Sequence, residues 1–318
     1  MSTGRSCALS YRYPPYSFRA PATAQADILY VVGGLYGNEQ ALATVLRLFA
    51  AERGRKHLIF NGDFNWFNVA PASFRRINET VLSYDAIRGN VETELGPLSS
   101  DVAGCGCAYP DWVDDGVVHR SNAMMKQLAE TAASFPHLQA RLAALPMWRR
   151  IDVGGVPIGI VHGDAESLAG WGFSQERLED QAHQLTVREW FDLAAVRLFA
   201  SSHTCLPVMH AVSNTQGRAC LVANNGAAGM PNFAGCQSGL LTRIATVPNR
   251  HGTSCYGTRM DNLYIDAVSI SYDSVRWQNA FLTQWPPGSP GYVSYWDRIV
   301  NGISYTREQA MKERWEMD

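Results

Sequence analysis

The chain has 318 residues, of which 46% are hydrophobic and 18% charged, with a formal net charge of -2. That apolar content supports a large core and excludes a disordered chain, while the near balance of charge excludes a protein that grips nucleic acid through a basic field. No stretch approaches the roughly 18 apolar residues of a membrane span, and the first 24 residues carry Arg5, Arg12 and Arg19 without an apolar run, so no membrane partner and a cytoplasmic location are expected.

Residues 1–24 read as an N-terminal arm without clear periodicity. The stretch from Asp27 to Gly33 is rich in Val, Ile and Tyr and predicts a buried strand running into a glycine-rich corner, Gly33-Gly-Leu-Tyr-Gly-Asn38. Asn38 can cap a helix in which Leu42, Val45, Leu46 and Phe49 share a face, with Gly54 as its stop. A second strand, His57 to Asp63, follows at once. This β-α-β unit puts both strand ends on the same sheet edge, so Asp63 should neighbour the corner at 34–38.

Phe64 to Asn68 reads as a loop, Ser73 to Leu82 as a helix, and Ala86 to Asn90 as a short segment ending on Gly89-Asn90. Residues 96–119 are Gly- and Asp-rich and suggest a surface insertion carrying Cys105 and Cys107, and Ser121 is read as the cap of a helix through Phe135. Gly154-Gly155 separates two strands of a hairpin, Trp148–Val153 and 156–162, whose second strand ends on His162-Gly-Asp164. A helix over 186–194 precedes the strand Val196 to Ser202, which delivers His203-Thr-Cys205, and Ala219 to Ala223 delivers Asn224. Strands over 239–247 and 263–271, a helix from Asp273 to about Trp285 and a Pro-rich tail complete the chain. The implied organisation is one domain over 25–280, with the insertion near 96–119, and a tail over 281–318 packed on it.

Asp63, Asn90, His162 and His203 all end strands or strand-like segments. In open α/β sheets such ends converge on one crevice, and an Asp, an Asn and two His suit Mn, Fe or Zn. Taken singly, each has an ordinary structural reading as a turn former or rim residue. Convergence of the set on one edge is what points to metal chemistry. The seven cysteines are odd in number and scattered, so reduced thiols are expected. Cys105-Gly-Cys107 lacks a second pair at zinc-finger spacing and reads as a loop. Tyr36 and Trp66 are candidates to line the pocket, and Arg88, Asp164 and His210 to support it.

In this order the motifs resemble the calcineurin-like metallophosphoesterase superfamily, closest to its small bacterial phosphodiesterase branch. The family's opening motif falls on Gly34-Leu-Tyr36-Gly-Asn38, its Gly-Asp on Gly62-Asp63, its Gly-Asn-His-Asp/Glu on Gly89-Asn-Val-Glu92, its isolated His on His162, and its Gly-His-x-His on Ser202-His-Thr-Cys205. The resemblance covers about residues 27–275. It implies a four-layer α/β/β/α sandwich with two metals at the carboxyl edge of the sheets.

It also implies which positions matter. One family metal is bound at positions held here by Gly34, Tyr36, Asp63 and Cys205, so three of its four ligands have changed. The other uses positions held by Asp63, Asn90, His162 and His203, all of ligand type. The histidine assigned as proton donor to the leaving group falls on Val91. The implied protein is a metal-dependent phosphoesterase with a remodelled, mononuclear site for a small phosphorylated substrate, in which Cys205 or Tyr36 tunes the open side. The alternative is a catalytically silent relative that binds a ligand or partner. For Cys205, in an extended segment two residues after His203, a thiolate ligand and an inert filler are both open.

Overall fold

The structure is a computed structural model and describes residues 3–5, 8–96 and 104–312. In chain order the first half holds β1 (Ala24–Ala26), β2 (Ile28–Val32), α1 (Glu39–Ala51), β3 (Lys56–Asn61), α2 (Pro71–Val81), β4 (Asp85–Ile87), α3 (Asn90–Glu94), α4 (Asp115–Ala133), α5 (Pro136–Ala143), β5 (Trp148–Val153) and β6 (Val156–Val161). The second half holds α6 (Gln175–Glu179), α7 (Gln181–Ala194), β7 (Leu198–Ser201), β8 (Pro207–Ser213), β9 (Ala219–Asn225), β10 (Gly239–Ala245), β11 (Ser254–Met260), β12 (Leu263–Ile270), α8 (Ser274–Gln284), α9 (Pro290–Asn301), α10 (Arg307–Ala310) and β13 (Met311–Lys312).

The strands form two sheets, ordered β1-β5-β6-β7-β9-β8-β13 and β11-β12-β10-β2-β3-β4. The alternation along β2 shows how they stack. Leu29 and Val31 enter a core shared with Ile151, Ile158 and Leu198 of the other sheet, whereas Ile28, Tyr30 and Val32 face a core built with Leu42, Val45 and Phe74 of α1 and α2. A strand whose side chains alternate between two apolar cores is buried throughout, as β2 is. On the far side, Phe199 and Val222 of the first sheet pack against Val187 and Phe191 of α7 and against Tyr11 and Phe18 of the N-terminal lead-in. The result is a four-layer sandwich: helices, sheet, sheet, helices.

The site end is set by the parallel strands. β2, β3 and β4 run parallel in one sheet, and β6, β7 and β9 run parallel in the other. Their carboxyl ends are tied across the sheets: the Asn61 amide donates to the Val161 carbonyl (3.1 Å), and the Asn225 amide to the Gly33 carbonyl (3.0 Å). Asn38 caps α1 as its sequence suggests, accepting from the backbone N–H of Gln40 and Ala41.

Several boundaries differ from the sequence reading. α1 stops at Ala51, before Gly54. α4 starts six residues before Ser121, capped by Asp114, which accepts from the Gly116 N–H (2.9 Å), and Ser121 lies buried inside it. Of the suggested insertion, 97–103 falls outside the described residues, as does Cys7; in the remainder Cys105 and Cys107 are buried, whereas Asp111, Trp112, Asp114 and Asp115 are exposed. The tail contains a helix, α9, with Ser289 as cap and Pro290 in its first turn. β8, β11 and α5 lie in segments to which the sequence reading assigned no element. Among the described residues no helix is long and apolar enough to cross a membrane.

Candidate metal centre

Each candidate side chain leaves the end of its strand in a conformation the local sequence permits. β3 ends on Asn61 and turns through Gly62 at φ 97°, a conformation suited to glycine. A Cβ there would also lie 2.6 Å from the Gly89 backbone nitrogen and from His162 Nδ1, so the turn can approach its neighbours only as glycine. Asp63 follows at φ 54°, in the left-handed region. Tyr36 (φ 55°) and Cys205 (φ 59°) share that uncommon geometry and line the same cavity, so the backbone is constrained where the strand ends meet.

Four side chains converge. His162 Nε2 lies 3.3 Å from Asp63 Oδ2, 3.1 Å from Asn90 Oδ1 and 3.1 Å from His203 Nδ1. Ligand atoms of Asp63, His162 and His203 all fall within 4.8 Å of one another. Donor atoms bound at about 2.1 Å to a zinc-like ion sit roughly 3.0–3.4 Å apart along the edges of an octahedron or tetrahedron, the spacing seen around His162.

The tautomers decide what these atoms can do. His162 Nδ1 donates to the Asn61 carbonyl (2.9 Å) and His203 Nε2 donates to the Cys107 carbonyl (3.1 Å). When both rings are neutral, Nε2 of His162 and Nδ1 of His203 carry lone pairs that face each other. Asn90 is oriented likewise: its amide nitrogen donates to the Cys105 carbonyl (2.8 Å), which aims Oδ1 inward. With both rings neutral these four acceptors repel one another unless a proton on His162 Nε2 or a metal ion lies among them. This donor set fits a divalent ion.

The charge balance reflects the same crowding. Burial works against a charged His162, but the Asp63 carboxylate outweighs it and raises the imidazole pKa above its usual value. Burial and then the neighbouring His162 push His203 down to about 3. Asp63 is also opposed by burial, yet the His162 charge and hydrogen bond hold its carboxyl below the usual range.

Behind Asp63 lies Glu92, to which the sequence reading gave no role. Its carboxylate accepts from the backbone N–H of Asp63 (2.7 Å), Phe64 (3.0 Å) and Gly89 (3.0 Å), joining the turns that carry Asp63 and Asn90. Burial and the Asp63 charge raise it to about 7. The only sequence signal was its place in the Gly89-Asn-Val-Glu92 motif. The Cys105 and Cys107 carbonyls had no signal at all, since a backbone acceptor has no residue identity.

The neighbouring seat is different. Gly34 carries no side chain, and a Cβ there would lie 2.9 Å from Cζ and from the hydroxyl of Tyr36. The Tyr36 ring therefore takes the space that a side chain at 34 would use, and its hydroxyl shares a hydrogen bond with Cys205 Sγ (2.8 Å). Burial, with Cys205 and Asp63 nearby, pushes the phenol pKa well up. Burial also raises the Cys205 thiol against the lowering effect of Arg298. Without a metal both groups keep their protons at neutral pH. Cys205 sits in a turn rather than an extended segment, and among the described residues it is not part of the Asp63–His162–His203 group.

Above the metal group is a cavity of about 180 Å³ lined by Trp66, Val91, Tyr109, Trp171 and Tyr295, among others, with Tyr36 and Cys205 at one side. Of the suggested supporting residues, Asp164 accepts from the N–H groups of Glu166, Ser167 and Gly172 and so shapes the loop bearing Trp171. Arg88 donates to the Ala143 carbonyl, and His210 lies mid-strand in β8.

No protein-family model matches the sequence, and no curated protein compared with it matches either. Solved structures do. A hypothetical protein from Pyrococcus horikoshii OT3 superposes with a TM-score of 0.56 at 16% identity, over 87% of this chain and 99% of that one. A metallophosphoesterase from Sphaerobacter thermophilus superposes with a TM-score of 0.51 at 18% identity, over 87% of this chain and 100% of that one. The fold is that of the metallophosphoesterases. Within it, the group at Asp63, Asn90, His162 and His203 stands at the carboxyl ends of parallel strands from both sheets.

Proposed function

We propose that the protein is a metal-dependent phosphoester hydrolase with one metal per chain, Mn, Fe or Zn, acting on a small phosphorylated substrate. The observation that carries this reading is the pair of fixed tautomers, which leaves imidazole lone pairs, an amide oxygen and a carboxylate aimed at one point. Asp63, Asn90, His162 and His203 would hold the divalent cation, which when bound would supply Lewis acidity toward the phosphoryl group and acidify water. The protein's own groups do the rest. The carbonyls of Asn61 and Cys107 orient the two imidazoles, the Cys105 carbonyl orients Asn90, and the aromatic wall limits water.

The neighbouring seat supports the choice of one metal, because there the Tyr36 ring takes the space a side chain at 34 would use and its hydroxyl is hydrogen-bonded to Cys205. With Val91 where a proton donor would stand, general acid assistance worth roughly two to four powers of ten is missing, so esters of good leaving groups are the expected substrates. The same residue favours the second reading, a catalytically silent relative that binds its ligand. Hydrolysis of bis(p-nitrophenyl) phosphate with Mn, Fe or Zn, abolished in Asp63→Ala, supports the hydrolase. Absence of turnover with every metal leaves the binding role.

A further inference from the structure

The cavity over the metal group has an unusual lining for a site that meets phosphate. Among the described residues it contains no Lys or Arg. The nearby Arg298 is spent elsewhere, donating to the carbonyls of Pro231 (2.9 Å) and Cys205 (2.8 Å). A dianionic monoester or a polyphosphate brought here would keep charge that nothing but the metal offsets, and burying uncompensated charge is costly. A monoanion is matched much better.

The organic part of the ligand is read from the walls. Trp66 stands edge-on to Tyr295, with ring centroids 6.5 Å apart at 84°, and Tyr109 faces Trp171 at 6.1 Å and 46°. These rings, together with Asp63, Asn90 and His203 below them, line an open-mouthed cavity of about 180 Å³. A cavity of about 150 Å³ accepts one benzene, so the space suits a single six-membered ring beside the metal. Polar groups for reading a base are scarce. The Tyr109 hydroxyl is shared with Ser121, and the Thr204 hydroxyl accepts from the Asn224 amide.

We infer that the site takes a monoanionic phosphoester bearing one flat, apolar ring, an aryl phosphodiester or aryl phosphonate ester, with the ring between Trp66, Tyr109, Trp171 and Tyr295. The inference rests on the single-metal hydrolase reading and narrows it. It agrees with the absent proton donor, because an aryl oxide leaves without protonation far more readily than an alkoxide. In the hydrolysis, the oxygen of water bonds to phosphorus, and the P–O(aryl) bond breaks with its electron pair going to the aryl oxygen. The two protons of water end on the phosphate product and, through solvent, on the phenol.

Calorimetric titration of the full chain, zinc-loaded and chelator-treated, with phenyl methylphosphonate, methyl methylphosphonate and adenosine 5′-monophosphate tests this by binding alone. The phenyl ester is expected to bind the loaded protein roughly tenfold to hundredfold more tightly than the methyl ester, the gain from burying one ring. That ratio should fall to within about threefold in Tyr295→Ala and in Trp66→Leu, with the methyl ester unaffected; two variants guard against one that misfolds. Metal-dependent binding with no preference for the ring, or tighter binding of the nucleotide, overturns this proposal alone. Absence of any metal dependence for both esters overturns the hydrolase reading and the proposal with it.

Discussion

Replacing Gly106 by alanine should weaken metal binding although residue 106 touches no metal ligand through a side chain. Gly106 sits at φ 65°, and a Cβ there would collide with the Tyr11 hydroxyl and approach Asn90 Cβ to 3.2 Å. Tyr11 is held by its hydrogen bond to Glu94, so the loop must give way. The flanking carbonyls then move together: that of Cys105, 2.8 Å from the Asn90 amide, and that of Cys107, 3.1 Å from His203 Nε2. Each hydrogen bond is worth about 1 kcal/mol net, and loss of such orienting contacts typically costs 10–100-fold in metal affinity. The dissociation constant of zinc, read by competition with a chromogenic chelator, should therefore rise by roughly 10–100-fold in Gly106→Ala. An unchanged constant in a variant that melts like the parent would refute the orienting role of this loop.

Three further outcomes follow from the same geometry. In metal-free protein the histidine pair should make stability greatest near pH 6.5, the ordinary imidazole value: His162, raised above it, loses its contribution as pH climbs through the raised pKa, whereas His203, depressed to about 3, costs stability as pH falls below 6.5. Thermal melts in chelator that rise steadily through pH 8 would contradict this. Iodoacetamide should label Cys205 slowly and at the same rate with and without metal, since its thiol is neutral and turned toward Tyr36; protection by metal would make it a ligand. Glu52→Gln should lose about 3–5 kcal/mol in urea denaturation, because Arg243 is fully buried and pairs with Glu52 at 2.7 Å; a loss below about 1 kcal/mol would show that Asp266, at 3.6 Å, suffices.

The individual strands and their shared edge were legible because those signals are local, whereas the four layers were implied by the motif resemblance. Val- and Ile-rich runs mark buried strands, Asn38 caps a helix, and a β-α-β unit fixes which strand ends share an edge. The residues gathered at that edge, Asp63, Asn90, His162 and His203, were legible by type and position. What the sequence concealed has no side-chain signature. The carbonyls of Cys105 and Cys107 act through the backbone, and Asp115 to Gly116 looked like loop because glycine and aspartate open α4. Tyr36 and Cys205 adopt left-handed backbone geometry that neither residue type announces, so the placement of the Tyr36 ring against Gly34 and the turn at Cys205 could be read only from coordinates. β8 opens on Pro207, and α9 lies in a Pro- and Gly-rich stretch where Ser289-Pro290 is a helix start rather than a break.

The most direct measurement is the number of divalent ions held by the purified chain, taken by elemental analysis after saturation and desalting. One equivalent per chain in the wild type, lost in Asp63→Ala, is the predicted result. Two equivalents would mean that the phenol of Tyr36 and the thiol of Cys205 leave room for a second ion, and none would mean that the facing imidazoles of His162 and His203 are settled by a proton instead.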